Sequence, residues 1–214
     1  MPSDFNAPYI HLYPPQICIS VISTFKKYFG ALSQSIGMYM DLDTVLNLVW
    51  IVLPAYIANG TPVIVAKILS MLNLRKHPID FGKHLFDGKR VFGDSKSWEG
   101  LSIGLLMGIL TGYIQYMLIR NEIYLYRGFT LSFGALMGDL IGAFIKRRLG
   151  IEPGNPLPIL DQLLFIIIAI ATTQFFNYIE LSIIEWTYIL MITLVLHVVT
   201  NCIAYLLKLK SVPW

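Results

Sequence analysis

Charged residues are scarce in this chain. Asp, Glu, Lys and Arg make up 14% of its 214 residues, and 56% of the residues are hydrophobic. Because a soluble domain usually carries about 25% charged residues, this composition excludes an ordinary soluble protein. Several apolar runs are long enough to cross a bilayer, which indicates an integral membrane protein. The net formal charge is only +3, and we expect no nucleic-acid partner.

Other features are absent as well. The N-terminus lacks a basic region followed by an apolar core, so we expect no cleavable signal peptide. No polar linker divides the sequence, which predicts a single membrane domain over residues 1–214. The two cysteines, Cys18 and Cys202, stand in unrelated contexts, and we interpret both as apolar side chains without a disulfide. The GxxxxGK[ST] spacing of a Walker loop is missing too.

The first 43 residues form a segment of their own. From Gln16 to Met40 apolar residues recur at helical spacing, and polar residues occupy the other face. Lys26 and Lys27 lie in the middle of this amphipathic helix, where two charges would be costly inside hydrocarbon. We therefore expect an N-terminal helix on the membrane surface, followed by a transmembrane bundle over residues 44–207.

The bundle is predicted to be all-α, with five transmembrane helices. Pro54 and Pro62 predict that the first helix is broken or bent. Asn59 between them either faces a polar cavity or makes an interhelical hydrogen bond. Glycines at four-residue intervals predict that the second and third helices touch along these ridges. The predicted spans are residues 44–74, 100–119, 128–145, 159–179 and 186–207.

Lysine and arginine are distributed unevenly over the connecting segments. They are concentrated in the loop at 75–99, at residues 146–148 and in the C-terminal tail. Short loops rich in these residues stay in the cytoplasm. We therefore expect the N-terminus outside and the C-terminus inside, with a polar cavity that opens to the cytoplasm.

Charged residues inside or beside apolar helices form the first candidate site. Asp139 lies within an apolar run, where an uncompensated charge costs about 2.5–3.5 kcal/mol at the bilayer centre. Lys146 follows two helical turns later, Arg147 is next to it, and Asp161 opens the following apolar run. Two carboxylates with basic residues can bind Mg²⁺ and phosphate, the equipment of phosphoryl or nucleotidyl transfer. The alternatives are a structural Asp139–Lys146 ion pair and a helix-dipole role for Asp161.

The loop at 75–99 is the second candidate site. Its glycines allow tight turns around a ligand, and its basic residues suit phosphate oxygens. A basic loop that only fixes the topology is the alternative, but interleaved aspartates have no use in such a loop. The candidate substrate-binding residues here are Asp80, Lys83, Asp87, Lys89, Arg90, Asp94 and Lys96.

Several separated stretches resemble one known family, the membrane enzymes typified by phosphatidate cytidylyltransferase. The residues that resemble the family signature are Gly138-Asp139, Lys146-Arg147, Gly150-Ile151, Pro158 and Asp161. Residues 54–59, 78–80 and 87–100 are similar to its archaeal branch, the CDP-archaeol synthases. The likeness covers about residues 46–165.

The resemblance implies transfer of a cytidylyl group from CTP to a lipid phosphate with isoprenoid chains, which releases pyrophosphate. It also implies that Asp139 and Asp161 bind Mg²⁺, and that Lys146, Arg147 and Lys96 neutralise phosphates. Asn59 and Gln162 are further candidate substrate-binding residues, although the family has arginine where Gln162 stands. Leu164 occupies the place of an expected aspartate, so the resemblance does not decide whether the site holds one metal ion or two.

Three other functions compete with this interpretation. A phosphatidate cytidylyltransferase that acts on diacyl lipid would show the same polar residues, because apolar walls carry no readable code for the lipid tails. A transporter would suit a broken helix, but the sequence has no inverted repeat. A scaffold that binds anionic lipid through basic loops leaves Asp139 and Asp161 unexplained.

Overall fold

The computed structural model describes residues 42–152, 155, 157 and 159–207. The predicted amphipathic helix at 16–40 lies outside the described residues. Within them, the prediction of five helices, with a polar loop between the first and the second, is confirmed. The helices are α1 (Leu42–Met71), α2 (Trp98–Ile119), α3 (Ile123–Arg148), α4 (Leu160–Phe175) and α5 (Ile183–Leu206).

Four of the described helices are long and apolar enough to cross a membrane, namely α1, α2, α3 and α5. The fourth helix, α4, has 16 residues. At 1.5 Å per residue it is roughly 24 Å long, whereas the hydrocarbon core of a bilayer is about 30 Å thick. The predicted span at 159–179 was therefore too long, and a full set of five crossings stays a prediction.

Residues 42–197 form one compact unit, and residues 198–207 belong to a second unit. Only residues 198–207 of the second unit are described, so a single domain over the whole chain stays a prediction. Cys202 lies in this part and is disulfide-bonded. The expectation of a cysteine without a disulfide was therefore wrong at Cys202, whereas Cys18 lies outside the described residues.

Helix α3 is the centre of the larger unit. It packs against α1, α2 and α4, and most of its buried positions carry small residues such as glycine, alanine and serine. Small residues let helix backbones approach closely, which is the main source of packing energy between helices in a membrane. Every charged side chain near the end of α3 is therefore carried on a tightly held scaffold.

The predicted contact between the second and third helices is confirmed, but the predicted ridge of Gly134, Gly138 and Gly142 on the third helix does not make it. A Cβ atom added to Gly112 of α2 would lie 2.4 Å from the Cα of Gly128 of α3. Gly134 and Gly138 instead face α4, where added Cβ atoms would lie 2.6 Å from the Cα of Ala169 and 2.7 Å from the Cα of Phe165. Six residues correspond to about 240° around a helix, so Gly134 cannot share a face with Gly128.

The first helix is continuous, so the prediction of a break was wrong, whereas a bend at the two prolines stays a prediction. Pro54 and Pro62 both lie inside α1. Pro54 has no N–H to donate to the carbonyl of Trp50, which would leave that oxygen without a partner. Gln115 of α2, only 1% exposed, donates from Nε2 to the Trp50 oxygen at 2.5 Å. A side chain of the neighbouring helix thus replaces the missing backbone bond.

This replacement predicts the effect of removing the Gln115 amide. Gln115→Met leaves the Trp50 carbonyl buried and unpaired, which should lower the free energy of unfolding by about 1–3 kcal/mol. Pro54→Ala restores a backbone donor four residues after Trp50, so the same Gln115→Met change should cost much less in that background. Thermal unfolding in detergent of the two single variants and the double variant measures both effects. Equal losses in the two backgrounds would contradict the assigned role.

Candidate functional site

The loop at 72–97 and the facing ends of α3 and α4 line an open cavity of about 90 Å³. The charged residues on its wall come from three separate segments. The loop contributes Lys96, α3 contributes Asp139, Lys146 and Arg147, and α4 contributes Asp161. The structure therefore brings together the residues predicted from the sequence as catalytic, with one lysine from the second candidate site.

Two ion pairs cross this cavity. Lys96 Nζ donates to both carboxylate oxygens of Asp139 at 2.6 Å. Lys146 Nζ donates to Oδ2 of Asp161 at 2.7 Å. The alternative ion pair between Asp139 and Lys146 is thus not the observed arrangement, because each carboxylate binds a lysine from another segment. The Asp139 and Asp161 side chains remain 34% and 32% exposed, so both can be reached from the cavity.

Asp161 also contacts the chain that leads into α4. Its Oδ2 accepts a hydrogen bond from the amide of Leu157 at 2.8 Å, and it lies in the first turn of the helix. A negative charge at this position is favoured by the helix dipole. The dipole alternative is compatible with this geometry, and the contact with Lys146 adds a second function to the same carboxylate.

Arg147 differs from the two lysines of the cavity. It is only 9% exposed, and no described residue accepts a hydrogen bond from its buried Nε. A buried guanidinium with unused donors is costly unless an anion binds it. Arg147 therefore gives the cavity wall a preformed preference for a negatively charged ligand such as phosphate.

Asp80 organises the loop beside the cavity. Its buried carboxylate accepts hydrogen bonds from Arg90 Nη2 at 2.6 Å and from the amides of Phe92 at 3.0 Å and Gly93 at 2.9 Å. Burial alone would raise the pKa of Asp80, but the hydrogen bonds from Arg90 and the backbone amides together hold it well below its usual range. Arg90 also pairs with Asp94 at 2.9 Å. These three charged residues fix the fold of the loop.

Asp87 and Lys89 lie at the tip of the loop, against the end of α3. Arg148 Nη1 donates to Oδ1 of Asp87 at 2.5 Å, and Lys89 Nζ donates to the carbonyl of Arg148 at 3.0 Å. Arg148 was not among the residues predicted for the site. The signal for it was the run of three basic residues that ends α3, of which only Lys146 and Arg147 were assigned to the site and Arg148 to topology alone.

The remaining predicted residues lie elsewhere in the described structure. Lys83 is exposed in the loop, and Asn59 of α1 and Gln162 of α4 are half-buried. These three do not contribute to the described cavity wall, and neither do the paired loop residues Asp80, Asp87, Lys89, Arg90 and Asp94. Sequence reasoning missed most of the uncharged lining. It comprises Phe92, Ser95, Gly138, Gly142, Ala143, Leu160, Leu164 and Phe165.

The carboxylates of the cavity fit a magnesium ion by their chemistry. The described residues contain no group of three or more His, Cys, Asp or Glu side chains that could hold a metal by itself. Mg²⁺ is usually bound by only one or two carboxylates, together with water and substrate phosphates. Asp139 and Asp161, both partly exposed to one cavity, meet that requirement.

Known proteins are similar to this chain in sequence and in the arrangement of helices. A family model described as "CarS-like: CDP-archaeol synthase" matches residues 41–214. The CDP-archaeol synthase of Pyrobaculum aerophilum is 42% identical over 175 residues, which are 82% of this chain and 100% of that protein. The CDP-archaeol synthase of Pyrococcus furiosus is 44% identical over 177 residues, 81% of this chain and 100% of that protein.

A solved structure of an intramembrane enzyme for archaeal membrane lipid biosynthesis is also similar. It is 36% identical, has a TM-score of 0.65, and the match covers 73% of this chain and 94% of that one. The family model matches most of the sequence, and the curated relatives are matched over their full length. The chain therefore belongs to the CarS-like CDP-archaeol synthase family.

Proposed function

We propose that this membrane protein transfers a cytidylyl group from CTP to a glyceryl phosphate with isoprenoid ether chains. The products are the CDP-lipid and pyrophosphate, in membrane phospholipid biosynthesis. Family membership supports the reaction, since the curated relatives are CDP-archaeol synthases. The observation on this chain that carries the proposal is the cavity in which three cationic side chains and two carboxylates converge.

The reaction needs charge neutralisation more than covalent help from the protein. A phosphate oxygen of the lipid attacks the α-phosphorus of CTP, a new P–O bond forms, and the bond to the bridging oxygen of the β-phosphate breaks. The electron pair of that bond leaves with pyrophosphate. Positioning and electrostatic stabilisation supply most of the catalysis in such transfers. We propose that Lys96, Lys146 and Arg147, which line the cavity, bind the phosphate oxygens.

We further propose that Asp139 and Asp161 hold Mg²⁺, which would supply charge neutralisation and orientation of the phosphates. In this structure Lys96 pairs with Asp139 and Lys146 pairs with Asp161. If these carboxylates held a divalent cation, it would supply the positive charge that the two lysines now provide, and Lys96 and Lys146 would be free to donate to phosphate oxygens.

The orientation of the chain follows from the substrates and the charges. CTP is a cytoplasmic solute, and the basic residues of the loop at 72–97 and of the end of α3 lie beside the cavity. We therefore place the cavity and the C-terminus on the cytoplasmic side, with the N-terminus outside. The lipid tails stay in the bilayer while the headgroup reaches the cavity. Asn59, Lys83 and Gln162 stay predictions as substrate contacts.

The direct test of the function is an assay of the purified protein in detergent with labelled CTP. We expect Mg²⁺-dependent formation of a CDP-lipid from the isoprenoid ether glyceryl phosphate, and no product after addition of EDTA. Diacyl phosphatidate serves as the competing substrate. A higher kcat/KM for phosphatidate would favour the alternative of a phosphatidate cytidylyltransferase. Absence of product from both lipids would exclude the enzyme.

The two carboxylates of the cavity should both be essential. Asp139→Asn and Asp161→Asn each remove a charge that the metal and the transferred phosphates need, so turnover should fall on the order of a hundredfold or more. Glu180→Gln is the matched control, because Glu180 is exposed between α4 and α5. Its rate should equal that of the unmodified protein. If either aspartate variant kept a near-normal rate, that residue would not belong to the metal site.

Removal of the Lys96 charge should strengthen metal binding but slow the reaction. Lys96→Met frees the Asp139 carboxylate, so Mn²⁺, used in place of Mg²⁺, should bind about fivefold more tightly, the equivalent of roughly 1 kcal/mol. Turnover should fall because a phosphate ligand is lost. Paramagnetic resonance of Mn²⁺ without nucleotide measures the binding. Lys76→Met, at an exposed position of the same loop, is the control. Unchanged or weaker Mn²⁺ binding in Lys96→Met would remove Asp139 from the metal site.

A further inference from the structure

The tip of the loop at 72–97 is attached to the C-terminal end of α3 by a single arginine. Arg148 donates to three acceptors of the tip: the Asp87 carboxylate at 2.5 Å, the Lys89 carbonyl at 3.2 Å and the Arg90 carbonyl. Lys89 returns a bond from Nζ to the Arg148 carbonyl at 3.0 Å. We call this set of contacts between residues 87–90 and Arg148 the loop clamp.

The contacts of the loop clamp fix the position of the loop tip relative to the end of α3. The Arg148 side chain is 22% exposed and that of Asp87 29% exposed, so water competes only in part. The Arg148 guanidinium lies 5.2 Å from the centroid of the Phe144 ring, which favours its orientation further. A lysine could make the ion pair with Asp87, but its single ammonium lacks the planar fork that reaches separated acceptors. The contacts therefore require arginine, and not merely a positive charge.

The clamped loop forms one wall of the cavity. Phe92, Ser95 and Lys96 line the cavity from the loop, and the Phe92 ring contacts Phe144 of α3 with the ring centroids 6.5 Å apart. The bonds that Asp80 accepts from Arg90, Phe92 and Gly93 connect the clamped tip to that wall. A displacement of residues 87–90 is thereby passed on to the wall.

The opposite wall begins one residue before the clamp. Arg147 lines the cavity from α3, together with Asp139 and Lys146. Arg148 thus holds the two walls at a fixed separation, although it is not itself part of the described lining. That separation decides whether Lys96 can reach the same phosphate group as Lys146 and Arg147.

We propose that Arg148 is a positioning residue for nucleotide binding, which acts by fixing the loop wall of the cavity against the α3 wall. It makes no contact with the substrate. Asp87 is its partner in this role, so the Asp87 carboxylate serves the loop clamp and not the nucleotide. This inference rests on the proposed function for the identity of the nucleotide, CTP.

The test compares Arg148→Gln, Arg148→Lys and Asp87→Asn in the full-length protein. Because a misplacement of about 1 Å can cost up to a hundredfold, we expect Arg148→Gln to raise the KM for CTP about tenfold or more. The KM for the lipid phosphate should change little. Arg148→Lys keeps the ion pair with Asp87, so its KM for CTP should lie between that of the native protein and that of Arg148→Gln. Arg75→Gln, exposed in the same loop, is the control and should leave both KM values unchanged.

The pairing of Asp87 with Arg148 is tested in the double variant. If the two residues act through one clamp, Asp87→Asn should raise the KM for CTP in the native background and add little to Arg148→Gln. Multiplicative effects of the two changes, or a normal KM for CTP in Arg148→Gln, would overturn the proposal. If Arg148→Gln does not fold, Arg148→Lys decides: it must raise the KM for CTP while the unfolding temperature stays near that of the native protein.

Hydrogen exchange separates this proposal from the proposed function. The amides of Phe92 and Gly93 donate to Asp80, and we expect them to exchange at least several-fold faster in Arg148→Gln than in the native protein. Faster exchange without any CDP-lipid from the native protein would reject the reaction and keep the clamp. Unchanged exchange in a native protein that makes CDP-lipid would reject the clamp and keep the reaction.

Discussion

Two opposed lysine–carboxylate pairs are the interaction on which the cavity depends. Asp139 lies in an apolar helix, where a lone carboxylate would be strongly unfavourable. Lys96 from the loop and Lys146 from α3 neutralise Asp139 and Asp161 respectively. Because each pair joins different segments, neutralisation also holds the loop, α3 and α4 together around the cavity. The charges that we propose for the chemistry are thus the same charges that assemble the site.

The rest of the bundle serves to place these charges. Helix α3 approaches α2 through Gly112 and Gly128 and approaches α4 through Gly134 and Gly138, so its polar end has little freedom to move. The continuous first helix depends on Gln115 to satisfy the carbonyl that Pro54 leaves unpaired. Arg148 then fixes the loop to the end of α3. Each of these contacts restricts the movement of Lys96 relative to the charged residues of α3.

Sequence patterns predicted those site residues whose charge stands out from an apolar surrounding. Asp139 is a charge within an apolar run, and Lys146 and Asp161 follow it closely, so their convergence could be inferred from helical spacing. Their partners could not. Lys96 is 43 residues from Asp139, and spacing along one helix favoured Lys146 instead. Gly134 was placed on the wrong face because the regular spacing of glycines shows that ridges exist, not which neighbour each ridge meets. Arg148 resembles its two basic neighbours in sequence, and only the fold separates the clamp from the cavity wall.

We propose that the two carboxylates would exchange their lysine partners for a divalent cation when the nucleotide binds. An experimental structure with a non-hydrolysable CTP analogue and Mn²⁺ would test this most directly, through the anomalous signal of the metal. We expect a metal peak within bonding distance of Asp139 and Asp161, with Lys96 moved from Asp139 to a phosphate oxygen. A nucleotide bound elsewhere, with both lysine–carboxylate pairs intact and no metal beside them, would contradict it.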